Sequence, residues 1–435
     1  MIFLPVYLRA KKTLIKPQPF RNHFVTPKPY FCNRDKTGTA LRKFFEKIVE
    51  NIFTISGFVT SIVIVLVVVF LFAGGINLFR SKAVENGHVI AVNYANPVNM
   101  LSTNDLKEIF DYEKTNWKLF GGRDEEIMVF RINEITNYFS DEELGEELEF
   151  VPQKISQLVD ENEGIIAFIP VEFVAKNFSG KEIDAGNITV SDVFSGKEWL
   201  PTATPAPLFG LLPLITGTLW VSLIAILIAL PFGLSAAIFM SEVAGDKLRS
   251  ILKPVIELLS GIPSVVYGFF GLVVVVPLVQ EIFNLDVGET GLTGSIILAI
   301  MALPTIITVS EDAMRNCPRS MREASLSLGA NRWQTTYKIV IPYSISGITS
   351  GVVLGIGRAI GETMAVLMVT GNSGIIARSI LQPLRTIPAT IAAELGEVSA
   401  GSTHYQTLFL LGIILFFITL IINTSIEYVS AKNKI

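Results

Sequence analysis

Charged and uncharged positions along this chain are grouped in long blocks. Uncharged apolar runs occupy residues 52 to 72, 214 to 240, 258 to 280, 292 to 310 and 407 to 426, and a sixth, 346 to 371, contains only two charges. About 20 residues at 1.5 Å each cross a hydrocarbon core of about 30 Å, so every run is long enough for a spanning helix. The pattern predicts six transmembrane helices. Gly261, Pro263, Gly268, Gly271 and Pro277 punctuate the third, and Pro231 and Pro304 are expected to interrupt the second and fourth. Such residues let helices approach closely and free backbone groups to line a polar path, although ordinary packing in a membrane uses them too.

The polar blocks set an orientation. Residues 1 to 47 carry eleven lysines and arginines against Asp35 and Glu46, and the segment after the fourth run carries Arg315, Arg319, Arg322, Arg332 and Lys338 against Glu323. Basic loops stay in the cytoplasm, so with six crossings both termini are expected there. Between residues 80 and 200 the balance reverses, with 11 basic and 23 acidic residues for a net charge of −12. That block is expected outside the membrane. The chain then divides into a basic tail (1–47), an anchor helix (52–74), an insert (84–190) and a five-helix core (208–430) with a cytoplasmic loop at 313–345. The first run starts too far along for an ordinary signal peptide and has no clear small-residue cleavage site, so it reads as an anchor that stays.

Composition narrows the class further. Half of the 435 residues are hydrophobic and mean hydropathy is +0.51, which excludes a soluble protein of this length. Cys32 and Cys317 both fall on the cytoplasmic side of this topology, where a structural disulfide is not expected, and neither has metal-ligand company. The chain shows no phosphate-binding P-loop, catalytic triad or metal cluster, so it reads as neither an ATPase nor an enzyme of another kind. Nothing points to nucleic acid.

The basic loop holds the most specific signal. Ser320 and Glu323 stand at capping-box spacing, which predicts the start of a short helix; Gly329 suits its end, and Asn331 suits the cap of the next helix. Glu323-Ala324-Ser325, three residues, Gly329, nine residues and then Ile339-Val340-Ile341-Pro342 resemble the coupling loop of ABC importer permeases, which reads E-A-A, three residues, G, nine residues, I-x-L-P. Ser325 and Ile341 are the departures. Trp199-Leu200-Pro201, Gly217-Thr218-Leu219, Gly261-Ile262-Pro263-Ser264-Val265-Val266-Tyr267-Gly268-Phe269, Gly361-Glu362-Thr363-Met364-Ala365-Val366 and Gly371-Asn372 extend the resemblance from Trp199 onward. They resemble the PstC-type permease subunit of the bacterial phosphate ABC transporter.

The resemblance implies an all-α permease core in the bacterial inner membrane that imports inorganic phosphate. It implies a second permease of PstA type, a PstB-type ATPase dimer that holds ATP and magnesium, and a periplasmic phosphate-binding protein of PstS type. Membrane lipid surrounds the helices, and no cofactor is expected on this chain. Molybdate, sulfate and phosphonate importers share the architecture. A membrane sensor using the outer insert is a further alternative, but the chain lacks a cytoplasmic output domain.

Arg358 lies near the middle of the run 346 to 371, the fifth helix in chain order, with Glu362 four residues on. A central arginine costs about 2.5 to 3.5 kcal/mol on translocon scales, so both should face the bundle interior or a polar cavity. At this spacing a helix would let them pair, either as a structural ion pair or as part of a substrate path. The resemblance assigns them to phosphate passage. Arg358 offers a rigid fork that keeps its charge when desolvated. Glu362 either accepts the proton of hydrogen phosphate while repelling sulfate, or releases Arg358 when substrate arrives. The loop from 373 to 405, with Arg378, Arg385, Glu394, Glu397 and His404, reads as a docking surface for a binding protein or as a solvated loop.

The insert is patterned. Leu101-Ser102, Leu106, Ile109-Phe110, Asn116-Trp117, Gly121-Gly122 and Glu163-Gly164-Ile165-Ile166-Ala167-Phe168 resemble part of a phosphate-binding-protein lobe. The Ser-Gly-Thr loop of those proteins is missing after Arg131, where Ile132-Asn133-Glu134-Ile135-Thr136 stands instead, so no phosphate site is carried over. The insert is expected to dock a partner, cap the core or sense a ligand.

Overall fold

The structure, a computed structural model, describes residues 36–85, 87–145 and 148–432. Most of the basic tail, including Cys32, lies outside the described residues. By compactness the chain falls into two units, Met1–Leu71 and Phe72–Ile435. The described part of the first is α1 (Lys36–Gly75) as far as Leu71, whose apolar side chains such as Phe53 and Ile64 are exposed, as in a helix meant for lipid.

In the second unit, β1 (His88–Asn93), β2 (Met128–Arg131), β3 (Ile165–Pro170) and β4 (Gly180–Ile183) form a sheet in the order β2-β3-β1-β4. β3 runs parallel to β2 and antiparallel to β1, and β4 pairs antiparallel with β1. α2 (Thr103–Phe110), α3 (Asp141–Leu144), α4 (Val151–Glu161) and α5 (Val190–Phe194) lie between and after the strands. The insert is therefore α/β, as its resemblance to a phosphate-binding-protein lobe implies. Leu101, Leu106, Ile109, Phe110 and Trp117 are buried, and the Trp117 indole donates to Gly164 O at 2.8 Å. Ser102 and Asp105 cap α2 reciprocally.

β5 (Trp199–Leu200) and β6 (Leu208–Phe209) form a small hairpin before the helical block. That block holds α6 (Leu212–Ile238), α7 (Asp246–Ser260), α8 (Ser264–Phe270), α9 (Val276–Phe283), α10 (Gly291–Arg315), α11 (Arg319–Ser327), α12 (Arg332–Thr335), α13 (Ile341–Gly361), α14 (Met364–Val369), α15 (Ile387–Glu394) and α16 (Thr403–Lys432). Single π-helical turns occupy Phe239–Val243, Gly271–Val275 and Thr336–Val340. Among the described residues six helical stretches are long and apolar enough to cross a membrane: Lys43–Arg80, Leu212–Val243, Ser264–Phe283, Gly291–Arg315, Arg332–Gly361 and Thr403–Tyr428.

Three expectations change. Pro231 and Pro304 do not interrupt their helices, since α6 and α10 continue through them. Tolerance of this kind is common where neighbouring helices satisfy the backbone a proline frees. The third run breaks at Gly261–Pro263, so its spanning part begins at Ser264, after a proline that cannot donate to a helix. The run 346 to 371, fifth in chain order, is two helices, because Glu362 takes an extended conformation (φ −71°, ψ 132°) between α13 and α14.

α10 is the axis of the bundle. Within its most apolar window 61% is buried, against 28 to 33% for the other four spans of the second unit. α13 packs on it through Gly347, Gly351 and Gly355, which repeat every four residues and so share one face. A Cβ at Gly347 would collide with Ala313, and one at Gly351 or Gly355 would press on Val309 or Ile306. In lipid, close backbone approach of this kind supplies the packing that holds two helices together. Gly347→Leu is expected to cost about 1 to 3 kcal/mol by overpacking and to lower the melting temperature in detergent. Gly357→Ala, on a helix position with nothing within 4 Å, should leave it unchanged or raise it.

Candidate functional site

Two regions at opposite ends of α13 carry the predicted chemistry. At the C-terminal end, Arg358 sits in the last turn rather than mid-helix, half-buried, and Glu362 is the extended residue just past it. With Glu362 out of the helix the expected pair does not form. Among the described residues neither side chain has a hydrogen-bond or ion-pair partner. Gly357 and Gly361 border open space on the same stretch. Tyr267 of α8 is near enough for Arg358 to act on it electrostatically, and its hydroxyl donates to Leu259 O at 2.8 Å, bridging the break between α7 and α8. An unpaired guanidinium within the bundle, beside an unpaired carboxylate, is equipped to receive an anion that carries a proton.

At the other end lies the loop. α11 begins at Arg319 after Pro318, not at Ser320, and no side chain caps it. Proline there supplies a preset φ, and Ser320 becomes an exposed position of the first turn. The helix ends as predicted. Gly329 (φ +87°) donates to Leu326 O at 3.0 Å and Ala330 to Ser325 O at 3.2 Å, the two bonds of a Schellman motif. Asn331 caps α12 reciprocally with Gln334, at 2.7 and 2.9 Å. Glu323 and Ala324 are exposed, Ser325 meets Thr335 at 3.0 Å, Ile339 is half-buried, and Pro342 opens α13. Leu328 is 89% exposed and Trp333 61%, with Met321 and Leu326 also outward. A short helix with an uncovered apolar side is shaped to seat against another protein.

Sequence reasoning missed what anchors these parts. Arg322 of α11 binds Glu242 and Met314 O, and Glu311 at the end of α10, fully buried, faces Arg249 at 2.6 Å and Lys253 at 3.0 Å from α7. The charged partners are 58 to 80 positions apart, beyond any local pattern.

The loop after α14 also departs from expectation. Arg385, Glu394 and His404 form no free docking surface: Glu394 takes Arg385 at 2.8 Å and His404 at 2.8 Å, and the buried Trp199 indole donates to it at 3.1 Å. Burial pulls the Glu394 carboxyl upward, but the His404 hydrogen bond, the Arg385 charge and the Trp199 hydrogen bond outweigh it and lower its pKa. Arg378 and Glu397 do remain exposed. Arg378 lines a groove of about 730 Å³ with Lys197, Ser373 and Gln382. In the insert, Arg131 donates to Phe110 O at 2.7 Å and faces Glu134 at 3.7 Å, so its guanidinium is engaged within the domain.

The family described as binding-protein-dependent transport system inner membrane component matches residues 229–434. The probable ABC transporter permease protein YqgH of Bacillus subtilis is 41% identical over 237 residues, covering 54% of this chain and 76% of its own length. The phosphate transport system permease protein PstC of Mesorhizobium japonicum is 39% identical over 253 residues, with the same two coverages of 54% and 76%. Among solved structures, an ABC-type phosphate transport receptor from Vibrio cholerae is 28% identical, covering 23% of this chain and 47% of its own, at a TM-score of 0.18.

Removing the carboxylate from the Arg385, His404 and Trp199 cluster strands a largely enclosed guanidinium, so Glu394→Ala should cost about 3 kcal/mol. A carboxyl whose pKa is depressed on folding stabilises the fold above its unfolded value, 4.5 in the ordinary case, and loses that contribution as pH falls through the lower folded value. The melting temperature of the unaltered chain, followed by tryptophan fluorescence in detergent, should therefore fall on acidification more steeply than that of Glu394→Gln.

Proposed function

This chain belongs to the family of binding-protein-dependent transport system inner membrane components, and from that premise we propose that it moves inorganic phosphate through the membrane by alternating access. It is a permease subunit of an ABC importer and not an enzyme. The observation that carries the cargo is the unpaired guanidinium of Arg358 in a chain 39% identical to a phosphate transport system permease.

Arg358 takes phosphate oxygens from the pathway. Glu362, one residue beyond the helix end, accepts the proton of hydrogen phosphate and repels sulfate, which has none at neutral pH. Because the two groups form no pair here, the reading of Glu362 as a resting counter-ion loses its geometric basis. The loop carrying Glu323, Ala324, Ser325, Gly329, Ile339 and Pro342 seats against an ATPase dimer of PstB type, which holds ATP and magnesium. A PstA-type permease completes the pathway, and a PstS-type protein delivers phosphate. The basic loops support a cytoplasmic position for both termini and an outer one for the insert, in a bacterial inner membrane. Docking of the delivering protein, or capping of the core, suits the insert better than phosphate binding, given its engaged Arg131 and its charge.

Cells carrying the complete transporter should take up labelled phosphate in the presence of sulfate. Uptake at equal membrane abundance should fall at least about tenfold with Arg358→Ala, the cost of losing one charge-assisted pair, and only partly with Arg358→Lys. Glu362→Gln should admit sulfate as a competitor. No phosphate uptake by an assembled complex would redirect the cargo to another oxyanion, and uptake unchanged in Arg358→Ala would make that residue structural.

A further inference from the structure

On the reading that this chain is an importer permease, we infer that Arg322 and Glu242 form the rigid clamp through which the coupling helix α11 drives the membrane helices. Arg322 Nη1 donates to both carboxylate oxygens of Glu242 at 2.8 Å each, and Nη2 donates to Met314 O at 2.8 Å. One guanidinium thus joins three pieces: α11, the π-helical turn that ends the α6 span, and the last turn of α10. The side chains are 24% and 12% exposed, and Ser241 Oγ donates to Glu242 Oε1 at 2.7 Å, fixing the carboxylate from a second direction. A planar fork holding two acceptors fixes orientation as well as distance, which apolar contact alone does not.

The covalent routes around this clamp run through a short connection and irregular helical turns. From α10 the chain reaches α11 through Asn316–Pro318, and it returns to α13 through the π-helical turn Thr336–Val340; Glu242 itself stands in the turn Phe239–Val243. Turns of this kind interrupt a regular α-helix and frequently stand at functional sites. Met321, Leu326 and Leu328 of the same segment are exposed, while Arg322 reaches back into the core. A push received on the apolar side therefore passes to α6 and α10 through the guanidinium. Arg322 and Glu242 would act through α6, α10 and α11, which makes them positioning residues.

The complete transporter in lipid vesicles tests this, with phosphate uptake and ATP hydrolysis measured together. Arg322→Ala and Glu242→Gln should lower phosphate moved per ATP hydrolysed at least about tenfold while hydrolysis persists, in the range of ordinary coupling energies. Arg322→Lys should lose part of the ratio, and the double reversal of Glu242→Arg with Arg322→Glu should recover part of what the single changes lose, since a carboxylate at position 322 re-forms the pair but cannot donate to Met314 O. An unchanged ratio, parallel loss of uptake and hydrolysis, or loss of the ATPase on co-purification would each overturn the clamp. If the unaltered transporter hydrolyses ATP in response to another oxyanion and not to phosphate, the cargo reading fails, and the clamp is judged on the ratio for that oxyanion.

Discussion

The close approach of α13 to α10 is the constraint on which the rest of the molecule depends. Lipid gives helices no hydrophobic reason to associate, so the glycine face of Gly347, Gly351 and Gly355 has to supply contact by geometry. That seam makes the α10, loop and α13 segment one lever. One end of it is the loop with α11, and Arg358 stands 17 residues beyond Ile341, about 25 Å along the helix. Displacement of the loop and displacement of the arginine are then two ends of one motion. The buried Glu311, held by Arg249 and Lys253, pins α7 to the same axis.

Much of this was legible in the sequence because it depends on near neighbours. Spanning runs are read from hydropathy alone, and the Gly329 and Asn331 caps follow from residue types whose preferences are local. The misses share a physical cause. Whether a proline breaks a helix depends on what neighbouring helices offer its freed carbonyl, so Pro231 and Pro304 read wrongly while Pro263 read correctly. Ser320 has a good capping spacing but stands after a proline that already starts the turn.

Charges were the least legible. Arg358 and Glu362 are four apart, the spacing of a helical pair, and one extended residue cancels the inference. Arg385, Glu394 and His404 look like loop polarity until Trp199, nearly 200 positions away, closes over them. The pairs of Arg322 with Glu242 and of Glu311 with Arg249 and Lys253 join elements that sequence separates widely, and a charged residue in a spanning run shows only that some partner or cavity must exist. Arg322 and Glu242 illustrate this most plainly.

The acidic α/β insert has a consequence for how cargo arrives. With a net charge of −12 over residues 80 to 200, it surrounds itself with a cation atmosphere that thins divalent anions within a Debye length of about 8 Å at physiological salt. On the reading that it faces outward, free phosphate is less concentrated at the mouth of the permease than in the surrounding fluid. Phosphate enclosed in a carrier is shielded from that depletion. The domain thus acts as an electrostatic toll on diffusion, making supply to the pathway depend on delivery and on ionic strength more than on bulk concentration.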